Sequence, residues 1–189
     1  MHKNKINLNK ELINLTKENN IQQHSEKQEV DQESNIVLEL PAVVDGEIIP
    51  IEEIEDPIFA DKIIGEGFGV RPTGKTIYSP VDGKIEQIAS TKHAIYLSTT
   101  NNIKLLIHIG LDTIELKGKG FTSNIKKDMI IQRGDKLVEI DPKFIMDEGY
   151  NPVVAVVLLN RLNNSEVSVY PTKEAIGNET IAFKIAINE

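Results

Sequence analysis

Histidine is the residue type in this chain best suited to chemistry near neutral pH, because imidazole can act as nucleophile, proton carrier or metal ligand. The 189-residue chain has four histidines. We discount His2 and His24, which lie in a polar N-terminal segment where no rigid surroundings would orient a ring. His93 and His108 lie on two consecutive strand-like segments, separated by the turn-forming run Thr100-Asn101-Asn102. These two side chains are therefore the candidate reactive pair.

The alternation of side chains along a strand predicts what surrounds this pair. A hairpin loop of two or four residues would put His93 and His108 on the same face, whereas a three-residue loop without a bulge would separate them. His108 would share its face with Lys104 and Leu106, opposite a core face of isoleucine and leucine. An exposed Leu106 beside a reactive imidazole suits a protein-docking surface. By spacing alone, a half-exposed histidine beside an ordinary surface leucine fits equally well.

Composition argues against several classes of function. The formal net charge is -8, so we expect no nucleic-acid surface, because phosphate backbones are bound by clustered Lys and Arg. The chain has no cysteine, which removes disulfides, thiolate nucleophiles and cysteine-ligated zinc. The N-terminus lacks the apolar segment of a signal peptide, and no run approaches the ~20 apolar residues that span a bilayer. We therefore expect a cytoplasmic protein.

The sequence predicts a flexible polar tail followed by one folded domain. Residues 1–35 are rich in Asn, Lys, Glu and Gln and have too few apolar residues for a stable isolated helix. Residues 36–189 carry short Ile- and Val-rich runs, broken every ~8 to 12 residues by turn-forming residues. This rhythm predicts an all-β domain, an antiparallel β-sandwich or flattened barrel. Short helical segments are expected near residues 124–131 and after Asp141-Pro142.

Two short motifs look like functional signatures but predict turns. Residues 69–76 read GVRPTGKT and match the phosphate-binding pattern of nucleotide-binding loops. That loop needs a helix directly after it, whereas here Pro80 and the Asp82-Gly83 turn arrive before a second helical turn could form. Arg133-Gly134-Asp135 spells an adhesion tripeptide, but it is better explained as the turn before a strand at Lys136 to Ile140.

The sequence around His108 resembles that of a known family. Residues 105–121 read LLIHIGLDTIELKGKGF and closely resemble the active-site segment of glucose-type enzyme IIA domains of the phosphoenolpyruvate-dependent sugar phosphotransferase system. Three further segments agree in the same order: FADKIIGEG at 59–67, RPTGK at 71–75 with SPVDG at 79–83, and TKHA at 91–94. The resemblance covers about residues 36–189 and weakens after Asp141. It departs at Ala89 and Leu106, where the family commonly has aromatic residues.

The resemblance implies a phosphohistidine relay. His108 would accept a phosphoryl group from the phosphohistidine of the small carrier HPr and pass it to a cysteine on a IIB domain of a sugar permease. His93 would donate a ring N–H to the phosphoryl group, and the Thr91 hydroxyl would hold the other ring nitrogen of His93. Gly110 would supply a backbone carbonyl for the remaining N–H of His108, and Asp112 would shape the rim. No cofactor is required, and contact with the membrane would occur only through the permease.

The resemblance also implies a docking surface for these protein partners. Apolar residues would surround the site, with carboxylates at the periphery that could meet basic residues on a partner. The face of Phe59 and of Ile63 cannot be assigned from one sequence. The implied residues are Asp56, Ile58, Phe59, Ile63, Ile64, Leu106, Ile114 and Glu115.

Three other functions fit parts of the pattern. A regulatory module of the same fold would sense sugar transport by docking onto enzymes or permeases. A zinc hydrolase would need more ligands than His93 and His108, although a transient zinc ion completed by a partner stays open. A lipoyl or biotinyl carrier would fit the Gly-Asp turns, but the chain lacks a convincing lysine at a hairpin tip.

Overall fold

Strands make up most of the regular structure in the computed structural model, which describes residues 35–160 and 164–187. The predicted tail therefore lies almost entirely outside the described residues. The strands are β1 Asn35–Pro41, β2 Gly46–Pro50, β3 Glu66–Pro72, β4 Thr76–Tyr78, β5 Gly83–Ile88, β6 Ala94–Ser98, β7 Lys104–Ile109, β8 Phe121–Thr122, β9 Ile130–Ile131, β10 Lys136–Ile140, β11 Val154–Leu158, β12 Ser165–Val169, β13 Thr172–Ala175 and β14 Ile181–Ile187. The predicted all-β class is confirmed.

The strands form three antiparallel sheets. The largest has eight strands in the order β13-β2-β3-β11-β7-β6-β5-β9, and two smaller sheets have the orders β1-β14-β12 and β4-β10-β8. Side chains from all three sheets meet in one main hydrophobic cluster, which includes Ile107 of β7, Phe183 of β14 and Leu137 of β10. The architecture is thus a β-sandwich, and within the described ranges no sheet closes into a barrel.

Strand β7 is covered on both faces. Leu105, Ile107 and Ile109 face the main hydrophobic cluster, as alternation predicted. On the other face, Leu106 is only 4% exposed, so the expectation that it lies on the surface is wrong. The reason is a smaller hydrophobic cluster that covers this face with residues from elsewhere in the chain. Its buried members are Ile49, Ile51, Ile54, Phe59, Ala94, Leu106, Leu111, Val153, Ala155 and Val157.

Helical structure is limited to short pieces. Helix α1 spans Pro57–Ala60 and helix α2 spans Pro142–Asp147, and each begins after an Asp whose side chain accepts a backbone N–H. Two 3₁₀ turns lie at Ile51–Glu53 and Thr113–Leu116. Among the described residues no helix is long and apolar enough to cross a membrane.

The helix expected near residues 124–131 is not formed. Asp128 there has φ +68°, a left-handed conformation that interrupts a helix, and its N–H donates to the Ile85 carbonyl of β5 at 2.7 Å. The chain continues into β9, which pairs with β5. Pairing with a neighbouring strand therefore replaces the helix that the local sequence favoured.

Both misleading motifs are turns, as predicted. The segment at 69–76 runs from β3 through a turn into β4, without a helix. The Arg133-Gly134-Asp135 segment is the turn before β10, and Gly134 has the left-handed φ of +88° that such a turn uses. Neither segment has the geometry of the functional signature that it matches.

Candidate functional site

Strands β6 and β7 form the predicted hairpin, but with a different loop. The register pairs Ala94 with His108, and the Thr99 N–H donates to the Ile103 carbonyl at 2.9 Å. The connection is therefore a three-residue loop, in which Asn102 has φ +59°. The expected two- or four-residue loop is wrong. In a regular strand, this register would place His93 and His108 on opposite faces.

The two rings nevertheless lie side by side. Their centroids are 5.2 Å apart and their planes meet at 82°. Strand β6 begins only at Ala94, so His93 lies in irregular backbone just before it, next to Lys92 with φ +64°. The alternation of a strand does not apply to His93, because the chain leaves the strand conformation at that residue. A single backbone hydrogen bond, from Ile109 N–H to the His93 carbonyl at 2.7 Å, continues the pairing.

Thr91 orients the His93 ring. Its hydroxyl oxygen lies 2.6 Å from Nδ1 of His93. A hydroxyl that donates to Nδ1 leaves the ring proton on Nε2, where it can be donated to an anion. His93 is buried, and that burial lowers its pKa, so the ring is neutral at pH 7. The predicted contact between Thr91 and His93 is therefore present in the structure.

His108 is half-buried between small neighbours. Ala94 on β6 and Ala155 on β11 are the residues directly opposite it in the two adjacent strands. Their methyl groups leave room for an imidazole on the same face. The Phe59 ring packs against the imidazole, with centroids 5.2 Å apart and planes at 56°. Phe59 is itself only 4% exposed, so it belongs to the surroundings of the ring and not to the surface.

These surroundings keep His108 neutral. Burial, and to a smaller extent the neighbouring His93, lower the pKa of His108 to about 4. The Gly110 backbone and the carboxylates of Asp56 and Asp112 act in the opposite direction. A neutral imidazole has a free lone pair on one ring nitrogen and can act as a nucleophile at pH 7.

The two ring nitrogens of His108 differ in access. Nδ1 is buried and has no hydrogen-bond partner in the part of the chain that the structure describes. The Gly110 backbone is near enough to raise the pKa of the ring, but the expected hydrogen bond to its carbonyl is not formed in normal geometry. We therefore treat this contact as electrostatic. Nε2 is left as the nitrogen that an incoming group can reach.

The segment after His108 has a tight, non-strand backbone. Gly110 has φ +76°, and a Cβ there would lie 2.3 Å from Cγ2 of Thr113. Thr113 is fully buried, and its hydroxyl donates to the Ile109 carbonyl at 2.6 Å. Asp112 is exposed, with φ +55°. Sequence reasoning missed Thr113, although the Asp-Thr pair in the quoted motif was a signal for it.

The predicted docking residues fall into three groups by exposure. Ile58, Ile63 and Ile114 are 49%, 68% and 53% exposed, and we call them the isoleucine rim. Glu115 is also exposed, whereas Asp56 and Ile64 are half-buried. Phe59 and Leu106 are in the smaller hydrophobic cluster, so the prediction that they form part of an exposed docking ring is wrong. Phe59 lies on helix α1 beside the exposed Ile58, and Leu106 belongs to the same smaller cluster as Ile51 of the first 3₁₀ turn.

A resident metal site is not completed by this arrangement. Within residues 35–160 and 164–187, no group of three or more His, Cys, Asp or Glu side chains is placed to hold a metal ion. His93 and His108 would supply only two of the four ligands that zinc usually takes. The ligand set of a zinc hydrolase is not present in this part of the chain.

Comparison with known proteins shows the family to which this fold belongs. The sequence profile of the family described as phosphoenolpyruvate-dependent sugar phosphotransferase system, EIIA 1, matches residues 38–164. The solved structure of glucose permease IIA from Mycoplasma capricolum superposes with a TM-score of 0.71 at 32% identity, covering 77% of this chain and 94% of that chain. The β-sandwich is thus the fold of a sugar phosphotransferase component.

Similar sequences carry the same family name. The glucose-specific EIIA component of the phosphotransferase system of Oceanobacillus iheyensis is 41% identical over 144 residues, which is 76% of this chain and 87% of the relative. A protein of the same name from Staphylococcus aureus is 35% identical over 147 residues, 78% of this chain and 89% of the relative. The chain belongs to the EIIA 1 family and is a phosphotransfer component of the sugar phosphotransferase system.

The depressed pKa of His108 predicts a specific pH dependence. In the folded protein the ring stays neutral down to about pH 4, whereas a histidine in the unfolded chain binds a proton near pH 6.5. Between these values the unfolded state binds more protons, so the free energy of unfolding falls as pH falls from about 6.5 to about 4. An NMR titration of the His108 ring should give a midpoint near 4, and His108→Ala should reduce the loss of stability in this window. A midpoint near 6.5 would contradict the assignment.

Proposed function

We propose that Nε2 of His108 accepts a phosphoryl group from the phosphohistidine of HPr and donates it to a cysteine of a IIB domain. The observation that carries this proposal is a neutral imidazole with its Nδ1 buried, next to a second histidine held by a threonine hydroxyl. Phosphoryl transfer mainly requires in-line positioning and stabilisation of charge on the phosphoryl oxygens. Both requirements can be met by these two rings and their immediate neighbours.

The proposed transfer balances without a cofactor. The lone pair of His108 Nε2 forms the new P–N bond, while the P–N bond of the donor breaks and its electron pair returns to the donor imidazole. The phosphorylated ring keeps its proton on Nδ1, close to the Gly110 backbone. In the second step, a cysteine thiolate attacks phosphorus and the electrons of the P–N bond return to His108. A zinc ion would enter only where a partner supplied further ligands.

His93 is proposed to stabilise the phosphoryl group during its transfer. With Nδ1 accepting from Thr91, its Nε2–H can be donated to a phosphoryl oxygen. A proton donor fixed in a largely buried position needs little reorganisation during the reaction. This role matters most in the onward step, when negative charge must be held while the partner's thiolate approaches.

The isoleucine rim and its carboxylates are proposed as the docking surface for both partners. Ile58 is adjacent to Phe59, whose ring contacts His108, and Ile63 N–H donates to the Ile58 carbonyl at 3.2 Å. Asp56 affects the pKa of His108 and is thus close to the ring. Apolar groups around a reactive centre exclude water when a partner docks, and the carboxylates would meet basic residues.

Glucose is the sugar that we propose, because the similar proteins named above are glucose-specific. The place of action would be the cytoplasm, with the membrane reached through the permease. The IIB domain of a glucose permease is therefore the acceptor to use in the tests that follow.

The acceptor assignment is tested by mass analysis. The protein is incubated with phosphoenolpyruvate, enzyme I and HPr, and its intact mass should increase by one acid-labile phosphoryl group. His108→Ala should gain none, whereas His24→Ala, which changes a histidine of the tail, should gain as much as the native protein. An unmodified native protein, or a phosphorylated His108→Ala variant, would refute the proposal.

The role of His93 is tested in the second half-reaction. His93→Ala should still be phosphorylated on His108, but its transfer to the IIB cysteine should slow by roughly 10²-fold, the typical effect of losing one donor to a transition-state oxyanion. His93→Gln, whose amide keeps a donor, should recover part of that rate. Rapid-quench measurement of the phosphorylated IIB domain gives the comparison, and equal rates for native protein and His93→Ala would be inconsistent with the role.

The docking surface is tested with a charged residue in the isoleucine rim. Ile63→Glu should raise the KM for HPr about 10-fold, equivalent to about 1.4 kcal/mol of lost binding, while kcat stays unchanged. Ile130→Glu is the matched control, because Ile130 is 76% exposed but lies on β9, three strands from β7. An equal effect of both substitutions would show that the rim is not the docking surface.

A further inference from the structure

We propose that Thr113 is a positioning residue for phosphoryl transfer. Its hydroxyl allows the backbone at His93 to depart from the strand conformation, and this departure places the His93 ring next to the His108 ring. The role of Thr113 in phosphoryl transfer rests on the proposed function, whereas its effect on the positions of the two rings does not. Thr113 contacts neither reactive ring nitrogen in the hydrogen-bond network. It acts through the backbone of Ile109, the residue after His108.

Ile109 is the point at which the two histidine segments are joined. Its N–H donates to the His93 carbonyl at 2.7 Å, and its carbonyl accepts from the Thr113 hydroxyl at 2.6 Å. The register of β6 and β7 places His93 directly opposite Ile109. One backbone group of Ile109 therefore binds the His93 segment, and the other binds Thr113.

A regular antiparallel pair would use the carbonyl of Ile109 differently. Residues directly opposite each other in a hydrogen-bonded pair exchange two N–H to carbonyl bonds. Across the described part of the chain, His93 and Ile109 form one of these bonds and not the second. The Thr113 hydroxyl donates to the Ile109 carbonyl, which in a regular pair would accept from the His93 N–H. The carbonyl is satisfied, and His93 is free to leave the strand.

Leaving the strand is what brings the rings together. If β6 extended regularly to His93, alternation would turn its ring to the face opposite that of His108. The observed centroid separation of 5.2 Å depends on the irregular backbone at His93, with its left-handed neighbour Lys92. By taking the place of the His93 N–H, Thr113 stabilises this irregular conformation.

The burial and fit of Thr113 support a specific role. Thr113 has no exposed surface, and a buried hydroxyl that is deprived of water must keep a hydrogen-bond partner. Its Cγ2 methyl group fills the space beside Gly110, where a Cβ would lie at 2.3 Å. Backbone bonds from Gly110 and Leu111 to the carbonyls of Val153 and Asn151 hold the rest of the segment. The Ile109 carbonyl is thus the group in this turn that is bound by a side chain.

Removal of the Thr113 hydroxyl should restore regular pairing between His93 and Ile109. In Thr113→Val the Ile109 carbonyl loses its donor in a buried place, and the nearby His93 N–H is the group that can replace it. That bond would extend β6 by one residue and turn the His93 ring away from His108. Thr113→Ser keeps the hydroxyl and loses the methyl group, whereas Thr113→Ala loses both.

The first measurement is the distance between the rings, which does not depend on any phosphoryl transfer. NMR contacts between the His93 and His108 ring protons should be present in the native protein and in Thr113→Ser, and weak or absent in Thr113→Val and Thr113→Ala. Thr99→Val is the matched control, because the Thr99 hydroxyl also binds the backbone of this hairpin, at its other end. If Thr113→Val does not fold, the comparison of Ser with Ala isolates the hydroxyl. Ring contacts that persist without the hydroxyl would overturn the inference.

The second measurement separates an effect on kcat from an effect on partner binding. In transfer from phospho-HPr and onward to the IIB domain, kcat of Thr113→Val and Thr113→Ala should fall about 10-fold or more, because small errors in position are costly in such reactions. The KM should stay within about twofold, and Thr113→Ser should recover most of kcat. A proportional rise in KM, or no recovery with Ser, would refute the positioning role. If the native protein is not phosphorylated at all, the proposed function fails, while the ring contacts still decide the role of Thr113.

Discussion

The burial of the His108 imidazole is the constraint on which this site depends. A ring that stays neutral at pH 7 can act as a nucleophile, and burial supplies that neutrality by lowering the pKa to about 4. Burial in turn requires space, which Ala94 and Ala155 provide on the two neighbouring strands, and a cover, which Phe59 provides from helix α1. The smaller hydrophobic cluster is therefore part of the candidate site as well as part of the fold.

The second constraint is that two histidines on a regular hairpin of this register could not face each other. In this chain β6 begins only at Ala94, after His93, and Lys92 adopts left-handed backbone, a conformation that costs a residue with a Cβ roughly 1–2 kcal/mol. The lost ladder bond at Ile109 is replaced by the Thr113 hydroxyl. Two of the left-handed non-glycine residues, Lys92 and Asp112, thus lie close in sequence to His93 and His108.

Buried and exposed residues around the site have different roles. Helix α1 and the 3₁₀ turn after His108 are far apart in sequence, yet each contributes buried side chains around the site and an exposed isoleucine at its rim. A rigid sheet positions the chemistry, and short connecting segments offer the contacts that a protein partner can reach. This arrangement suits the proposed relay, in which one ring would meet a donor and an acceptor in turn.

The sequence by itself determined the all-β class, the hairpin, the inward face of β7 and the candidate histidine pair, because these depend on local periodicity and on a specific motif. Only the tertiary structure decided how His93 reaches His108. The three-residue loop would place the two residues on opposite faces of a regular hairpin, and the irregular backbone at His93, beside left-handed Lys92, has no distinct pattern in the sequence. It also decided that Leu106 and Phe59 are buried, because their cover comes from segments distant in the chain. The helix expected near residue 124 failed for the same reason: pairing with β5 outweighed local preference.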